Sequence, residues 1–215
     1  MDALYSKEHI RESLEPHPSG PNEDMLWLAS GSREMMLARV RAMNPEKRVP
    51  AAVLVPLVER EPGLTVLLTQ RAATLKDHAG QISFPGGRIE PGDADPWRAA
   101  LREAHEEIGL PQSCVEFAGY LPDHWVGTGF RVTPAVGFVN PNFDLRIATE
   151  EVHDVFEVPL EYILDAANHR AYSYEMEEMT VQRWDIPYGD RIIWGATAGM
   201  LLTLRRLLQT HRVES

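Results

Sequence analysis

The stretch that decides the reading runs from Phe84-Pro85-Gly86-Gly87 to Asp95-Pro96-Trp97-Arg98-Ala99-Ala100-Leu101-Arg102-Glu103-Ala104-His105-Glu106-Glu107-Ile108-Gly109-Leu110. Asp95 is suited to cap a helix whose first position is Pro96, because the first-turn N–H groups have no intrahelical acceptor. Gly109 stops that helix and Pro111 follows soon after. On the wheel for Pro96–Ile108, Trp97, Leu101, Ala104 and Ile108 form the apolar stripe. Glu103, Glu106 and Glu107 stand at i, i+3 and i+4 on another face, beside that stripe.

This is an unfavourable place for three carboxylates. Like charges at those spacings repel by about 0.2–0.5 kcal/mol per pair. In the last turn the helix dipole opposes each anion by about 0.3–1 kcal/mol. A cation lying against the stripe removes both penalties, and hard divalent ions that prefer oxygen, Mg²⁺ or Mn²⁺, fit best. A surface acidic face would explain one Glu-Glu pair. A triad at a helix end, preceded by a Gly-rich turn that lets a carbonyl approach an ion, points to a metal site. Arg102, one turn before Glu106, is placed to brace it as an ion pair. Carboxylate-bound metal ions suit phosphoryl chemistry, so the residues alone predict hydrolysis of a phosphate ester or anhydride.

Working outward, Ala51–Val58 and Leu64–Gln70 are strand-length runs joined by a Glu61-Pro62-Gly63 turn. Ile82–Phe84 leads into the Pro85-Gly86-Gly87 turn. Val115–Leu121, Val132–Val139 and Val155–Val158 read as strands, and Leu160–Ala167 as a short helix. Tyr172–Met176 and Thr180–Trp184 read as paired strands, and Ala196–Leu208 as a long apolar helix. Residues 1–47 form an N-terminal extension packed on a domain spanning 48–215. Short helices are expected at Lys7–Leu14 and Ser32–Met43 with a loop at Pro16–Asn22 between them. Alternating strands and helices indicate an α/β sandwich.

The 215-residue chain carries a formal net charge of -11, which does not attract nucleic acid broadly, so an anionic substrate needs local positive charge. Cys114 is the only cysteine, excluding an intrachain disulfide. The N-terminus lacks the apolar core of a secretory signal, and no apolar stretch reaches membrane-spanning length. A cytoplasmic protein is expected, with neither nucleic acid nor membrane as partner; the oligomeric state stays open, a homodimer included.

Gly87, Asp93 and the run Arg102–Leu110 resemble the Nudix box: Gly, an acid, then Arg-Glu-apolar-any-Glu-Glu-any-Gly-apolar. The second half matches at every fixed position. The first half differs in two ways, since the acid is Asp93 rather than Glu and one extra residue separates it from Arg102. That insertion is similar to the coenzyme A pyrophosphatase branch. So is the upstream motif, Leu67-Leu68-Thr69-Gln70-Arg71-Ala72, then Lys76, Gly80 and Phe84-Pro85-Gly86-Gly87, with Lys76 where Arg is usual. Ile193-Trp194-Gly195-Ala196-Thr197-Ala198 also resembles that branch. The resemblance implies an α/β/α sandwich around a mixed β-sheet. It implies cleavage of coenzyme A to 4′-phosphopantetheine and adenosine 3′,5′-bisphosphate. It also implies metal ligation by the Gly87 carbonyl, Glu103 and Glu107, with Glu106 a further or water-mediated ligand.

The catalytic set expected from the sequence is Glu103, Glu106 and Glu107 with Arg102, and the substrate-binding set is Arg71, Lys76, Gln81 and Arg88. The general base is left among Glu103, Glu150, Glu151, Glu175, Glu177 and Glu178. Two other readings compete: a Nudix hydrolase of ADP-ribose, a dinucleotide or a nucleoside triphosphate, and a catalytically dead nucleotide sensor. The intact Glu triad argues against the sensor, because a pure binder has no use for a repulsive cluster.

Overall fold

Near-continuous apolar runs, buried on both sides, pair into one central sheet, and the helices cover both of its faces. The computed structural model describes residues 5–20, 29–30, 48–74, 78–126, 129–176 and 179–210, with backbone alone at 29–30 and 174–182. Its elements are α1 (Lys7–Glu12), β1 (Ala29–Ser30), β2 (Val49–Glu59), β3 (Leu64–Arg71), β4 (Ile82–Ser83) and β5 (Gly86–Arg88). There follow α2 (Pro96–Ile108), β6 (Val115–Tyr120), β7 (His124–Trp125), β8 (Phe130–Val139) and β9 (Val152–Pro159). The chain ends with α3 (Leu160–Leu164), β10 (Arg170–Met176), β11 (Met179–Tyr188), β12 (Arg191–Ile193) and α4 (Gly195–Thr210). The expected helix at Ser32–Met43 lies outside the described residues.

The main sheet runs β4-β3-β2-β8-β6, with β5 on β2, β7 on β8 and β9 on β3. β2 and β8 are parallel from Val49↔Phe130 to Val58↔Val139, and the other pairs are antiparallel, so the sheet is mixed. Alternation along β2 sorts its side chains to two cores. Ala52, Leu54 and Val58 join Leu67 and the α2 residues Ala99, Ala100, Leu101, Ala104 and Ile108. Ala51, Val55 and Leu57 join Val66, Leu68 and, from α4, Met200, Leu201, Leu204 and Leu208. This is the expected α/β/α sandwich. Ile10 of α1 is fully buried in the second core. A smaller sheet, β1-β11-β10 with β12 on β11, adjoins it. Among the described residues no helix is long and apolar enough to cross a membrane.

The expected Pro85-Gly86-Gly87 turn runs into a short strand, Gly86–Arg88, paired with β2. A Cβ on Gly86 would lie 2.5 Å from the Ala52 carbonyl oxygen, so glycine is what allows β5 to close against β2. The helix expected over Leu160–Ala167 ends at Leu164, where the Asp165 side chain accepts from the Ala167 N–H and starts a 3₁₀ turn.

His124 is buried on β7 under α4, where a Cβ on Gly199 would sit 2.7 Å from its Cε1. Burial pushes its pKa down to about 4, from about 6.5 in the unfolded chain. The unfolded state therefore takes up a proton that the folded state refuses, and stability falls as pH drops from about 6.5 toward 4. In urea unfolding, the stability of wild type relative to His124→Gln should fall by about 2 kcal/mol between pH 7 and pH 5. A pH-independent difference would mean that His124 is not held neutral.

Candidate active site

The two ends of α2 set the site. At the first, the Asp95 side chain accepts from the Arg98 N–H at 2.8 Å. At the second, Gly109 is left-handed (φ 69°, ψ 15°), a conformation that favours glycine. The segment after β8 satisfies carbonyls of the last turn: the Arg146 N–H donates to Ile108 O at 2.9 Å and the Ala148 N–H to Glu107 O at 2.8 Å. The same segment delivers Glu151, whose own N–H donates to Ala148 O.

The three glutamates share one face of the helix but differ in depth. Glu107 is buried, 4% exposed, and accepts a hydrogen bond from the Gly86 N–H at 3.3 Å. Burial pushes its pKa up to about 8; the bond from Gly86 and the nearby Arg71 charge oppose the rise, and the Glu103 and Glu151 charges add to it. Glu103 is also raised by burial, against the pull of Arg102. Its carboxylate lies against Gly87, where a Cβ would collide with it. Glu106 is turned outward, its side chain 55% exposed.

Arg102 organises this end of the site. Its Nε and Nη2 donate to the two oxygens of Asp93 at 3.1 and 3.0 Å, and Nη1 donates to Glu103 and Glu106 at 3.0 Å each. Nη2 also donates to the Arg88 carbonyl at 3.0 Å. The Asp93 bonds are the main reason that the Arg102 pKa rises and the Asp93 pKa falls. The expected ion pair with Glu106 is present, but the guanidinium is saturated by protein acceptors. Arg102 therefore positions the box. The Asp93 partnership was not foreseen, although its place in the box was the available signal.

Among the described residues no three His, Cys, Asp or Glu side chains gather closely enough to hold a metal ion between them. Glu106, bonded like Glu103 to Arg102, lies further out, while Glu103 and Glu107 converge on the Gly86-Gly87 strand. That pair fits a hard cation. One carboxylate is buried and the other half-buried, both pushed toward protonation, and the glycine beside Glu103 leaves no room for a Cβ.

The expected substrate residues are unevenly placed. Arg71 ends β3, close enough to lower the Glu107 pKa, and its buried Nε has no hydrogen-bond partner. Gln81 is adjacent, its carbonyl accepting from the Arg71 N–H at 2.9 Å, with its side-chain Oε1 3.0 Å from His78 Nδ1. Arg88 lies over the Phe130 ring at 5.7 Å. Lys76, Glu177, Glu178 and the Glu175 side chain lie outside what the structure describes. Glu151, exposed at the head of β9, raises both Glu103 and Glu107 through its charge.

A mixed sheet of this topology thus carries a glutamate-bearing helix after a Gly-Gly strand. The family model described as "NUDIX domain" matches residues 47–178, and the chain belongs to the Nudix family, hydrolases that act on pyrophosphate bonds and generally use divalent metal ions. Among its relatives, the "Uncharacterized Nudix hydrolase NudL" of Enterobacter sp. (strain 638) is 41% identical over 175 residues, 78% of this chain and 90% of that protein. That of Salmonella paratyphi B (strain ATCC BAA-1250 / SPB7) is 44% identical over 175 residues, with the same coverage. Among solved structures, the Nudix hydrolase RenU from M. Smegmatis shares the fold at a TM-score of 0.52, with 19% identity over 76% of this chain and 87% of that one.

Glu107→Gln keeps an oxygen to accept from Gly86 and cannot ionise to hold a cation. With Mg²⁺ supplied, turnover should fall at least ~10²-fold while the melting temperature holds or rises. A variant that unfolds earlier yet turns over normally would make Glu107 a purely structural residue.

Proposed function

We propose that the chain hydrolyses coenzyme A and its derivatives to 4′-phosphopantetheine, or its acyl form, and adenosine 3′,5′-bisphosphate. The observation that carries this reading is the Arg71 side chain. It ends the strand that holds the upstream motif, and it lies near buried Glu107 with a buried donor left unbonded. An unbonded buried donor costs about 1–3 kcal/mol, a cost removed when a phosphate oxygen accepts from it. Gln81 adjoins Arg71 through a backbone hydrogen bond, Lys76 belongs to the same motif, and Arg88 is the cation that follows Gly87 in the chain.

Glu103, Glu107 and the Gly87 carbonyl are the groups that would hold Mg²⁺ or Mn²⁺. When bound, the ion supplies neutralisation of phosphate charge and a lowered pKa for water. Arg102 keeps Glu103 in place and leaves the acid-base work to another group. Glu151 takes that role: it is the exposed carboxylate whose charge reaches both Glu103 and Glu107. It accepts the proton of the attacking water as the new P–O bond forms and the bridging P–O bond breaks, the leaving phosphate departing with the bridge oxygen. The cytoplasm is the compartment this substrate implies.

The test is a panel of coenzyme A, its 3′-dephospho form, ADP-ribose, a dinucleotide and a nucleoside triphosphate with Mg²⁺ and Mn²⁺, scored by product mass. Coenzyme A should be cleaved, and a chelator should abolish cleavage. Efficient cleavage of ADP-ribose with coenzyme A untouched would overturn the substrate assignment. Glu151→Gln should lower kcat by ~10²-fold or more with KM nearly unchanged. An unaltered kcat would remove Glu151 from the mechanism.

A further inference from the structure

The segment Ile193-Trp194-Gly195 finds a place in the smaller sheet. Ile193 pairs with Ile186, so Trp194 continues past the end of β12 toward Asp185. On β11, Arg183 and Asp185 are two residues apart and share a face, and Tyr172 of β10 stands opposite Arg183. These four residues line a cleft of about 570 Å³. The Tyr172 and Trp194 rings are 47% and 37% exposed, a large aromatic surface to leave in water.

The Arg183 guanidinium lies 4.7 Å from the centre of the Trp194 ring and is held edge-on by buried Asp185, with bonds of 2.8 and 3.2 Å. Its charge is balanced and its edge is occupied. What the cleft offers is flat π surface: two rings and a guanidinium plane. That chemistry favours a planar heterocycle over a phosphate.

The cleft is tied to the hydrolytic site at a single point. Arg191, just before it, bonds Asp154 at 2.6 Å, and Asp154 pairs with Gln70. Thr197, just after it, donates to the Ile82 carbonyl at 3.0 Å, and Ile82 also pairs with Gln70. Gln70 precedes Arg71. We propose that the Tyr172–Arg183–Trp194 cleft stacks the nucleobase of the substrate whose phosphates lie at Arg71. This deepens, and rests on, the nucleotide hydrolysis proposed above.

The test uses calorimetric titration of the full chain with AMP and with ribose 5-phosphate in metal-free buffer, so that the difference isolates the base. Wild type should bind AMP about tenfold more tightly than ribose 5-phosphate. Trp194→Ala should erase that preference and Trp194→Phe should retain most of it. Tyr172→Ala, on a separate strand, should weaken it too, with ribose 5-phosphate binding unchanged. Equal binding of the two probes by wild type, or a preference untouched in both Ala variants, would overturn the proposal. Turnover plays no part in the readout, so a failure of the coenzyme A assignment leaves this result separately legible.

Discussion

The interaction on which the site depends is the burial of the Glu107 carboxylate against the Gly86 N–H. A lone buried carboxylate is costly unless it is neutralised or paired. The nearest fully engaged cation, Arg102, spends its donors on Asp93, Glu103, Glu106 and the Arg88 carbonyl, none of them on Glu107. Arg102 thus leaves the Glu107 carboxyl to burial, the Gly86 N–H and the nearby Arg71 charge. Everything around it keeps that geometry: Gly86 and Gly87 let β5 close on β2 and on Glu103, and Arg146 and Ala148 fix the helix end that carries Glu107.

Two opposed electrostatic designs therefore sit on one helix. Toward solvent, Arg102 and its acids form a satisfied network that stabilises the box. Toward the sheet, Glu107 is buried without a side-chain partner of opposite charge in hydrogen-bond contact, and Arg71 lies close by with its buried Nε unbonded. A structural helix would place apolar residues where Glu107 lies. The stability lost there is a mark of function, since perturbed carboxylates cluster where chemistry is done.

Much of this was legible from residues. α2 begins and ends where Asp95-Pro96 and Gly109 place it, because capping chemistry is local and strong. Apolar runs of strand length gave β2, β3, β6 and β8 within a few positions. What escaped was non-local. β5, β7 and β12 are too short for periodicity to register, and their existence depends on a partner strand. The wheel put three glutamates on one face; packing against β5 separated them by depth, which a wheel cannot resolve. Trp194 was noticed as part of a motif, but its relation to Tyr172 and Arg183 follows only from strand register.

The central claim is that Glu107 is buried to receive a divalent cation. Site-specific ¹³C NMR of the Glu107 side-chain carboxyl, titrated with pH in metal-free buffer and again with saturating Mg²⁺, tests it directly. The account predicts a metal-free pKa of about 8 and, with Mg²⁺, ionisation at or below the ordinary carboxylate range, because the cation stabilises the charged form. A titration curve that Mg²⁺ leaves unmoved would contradict it.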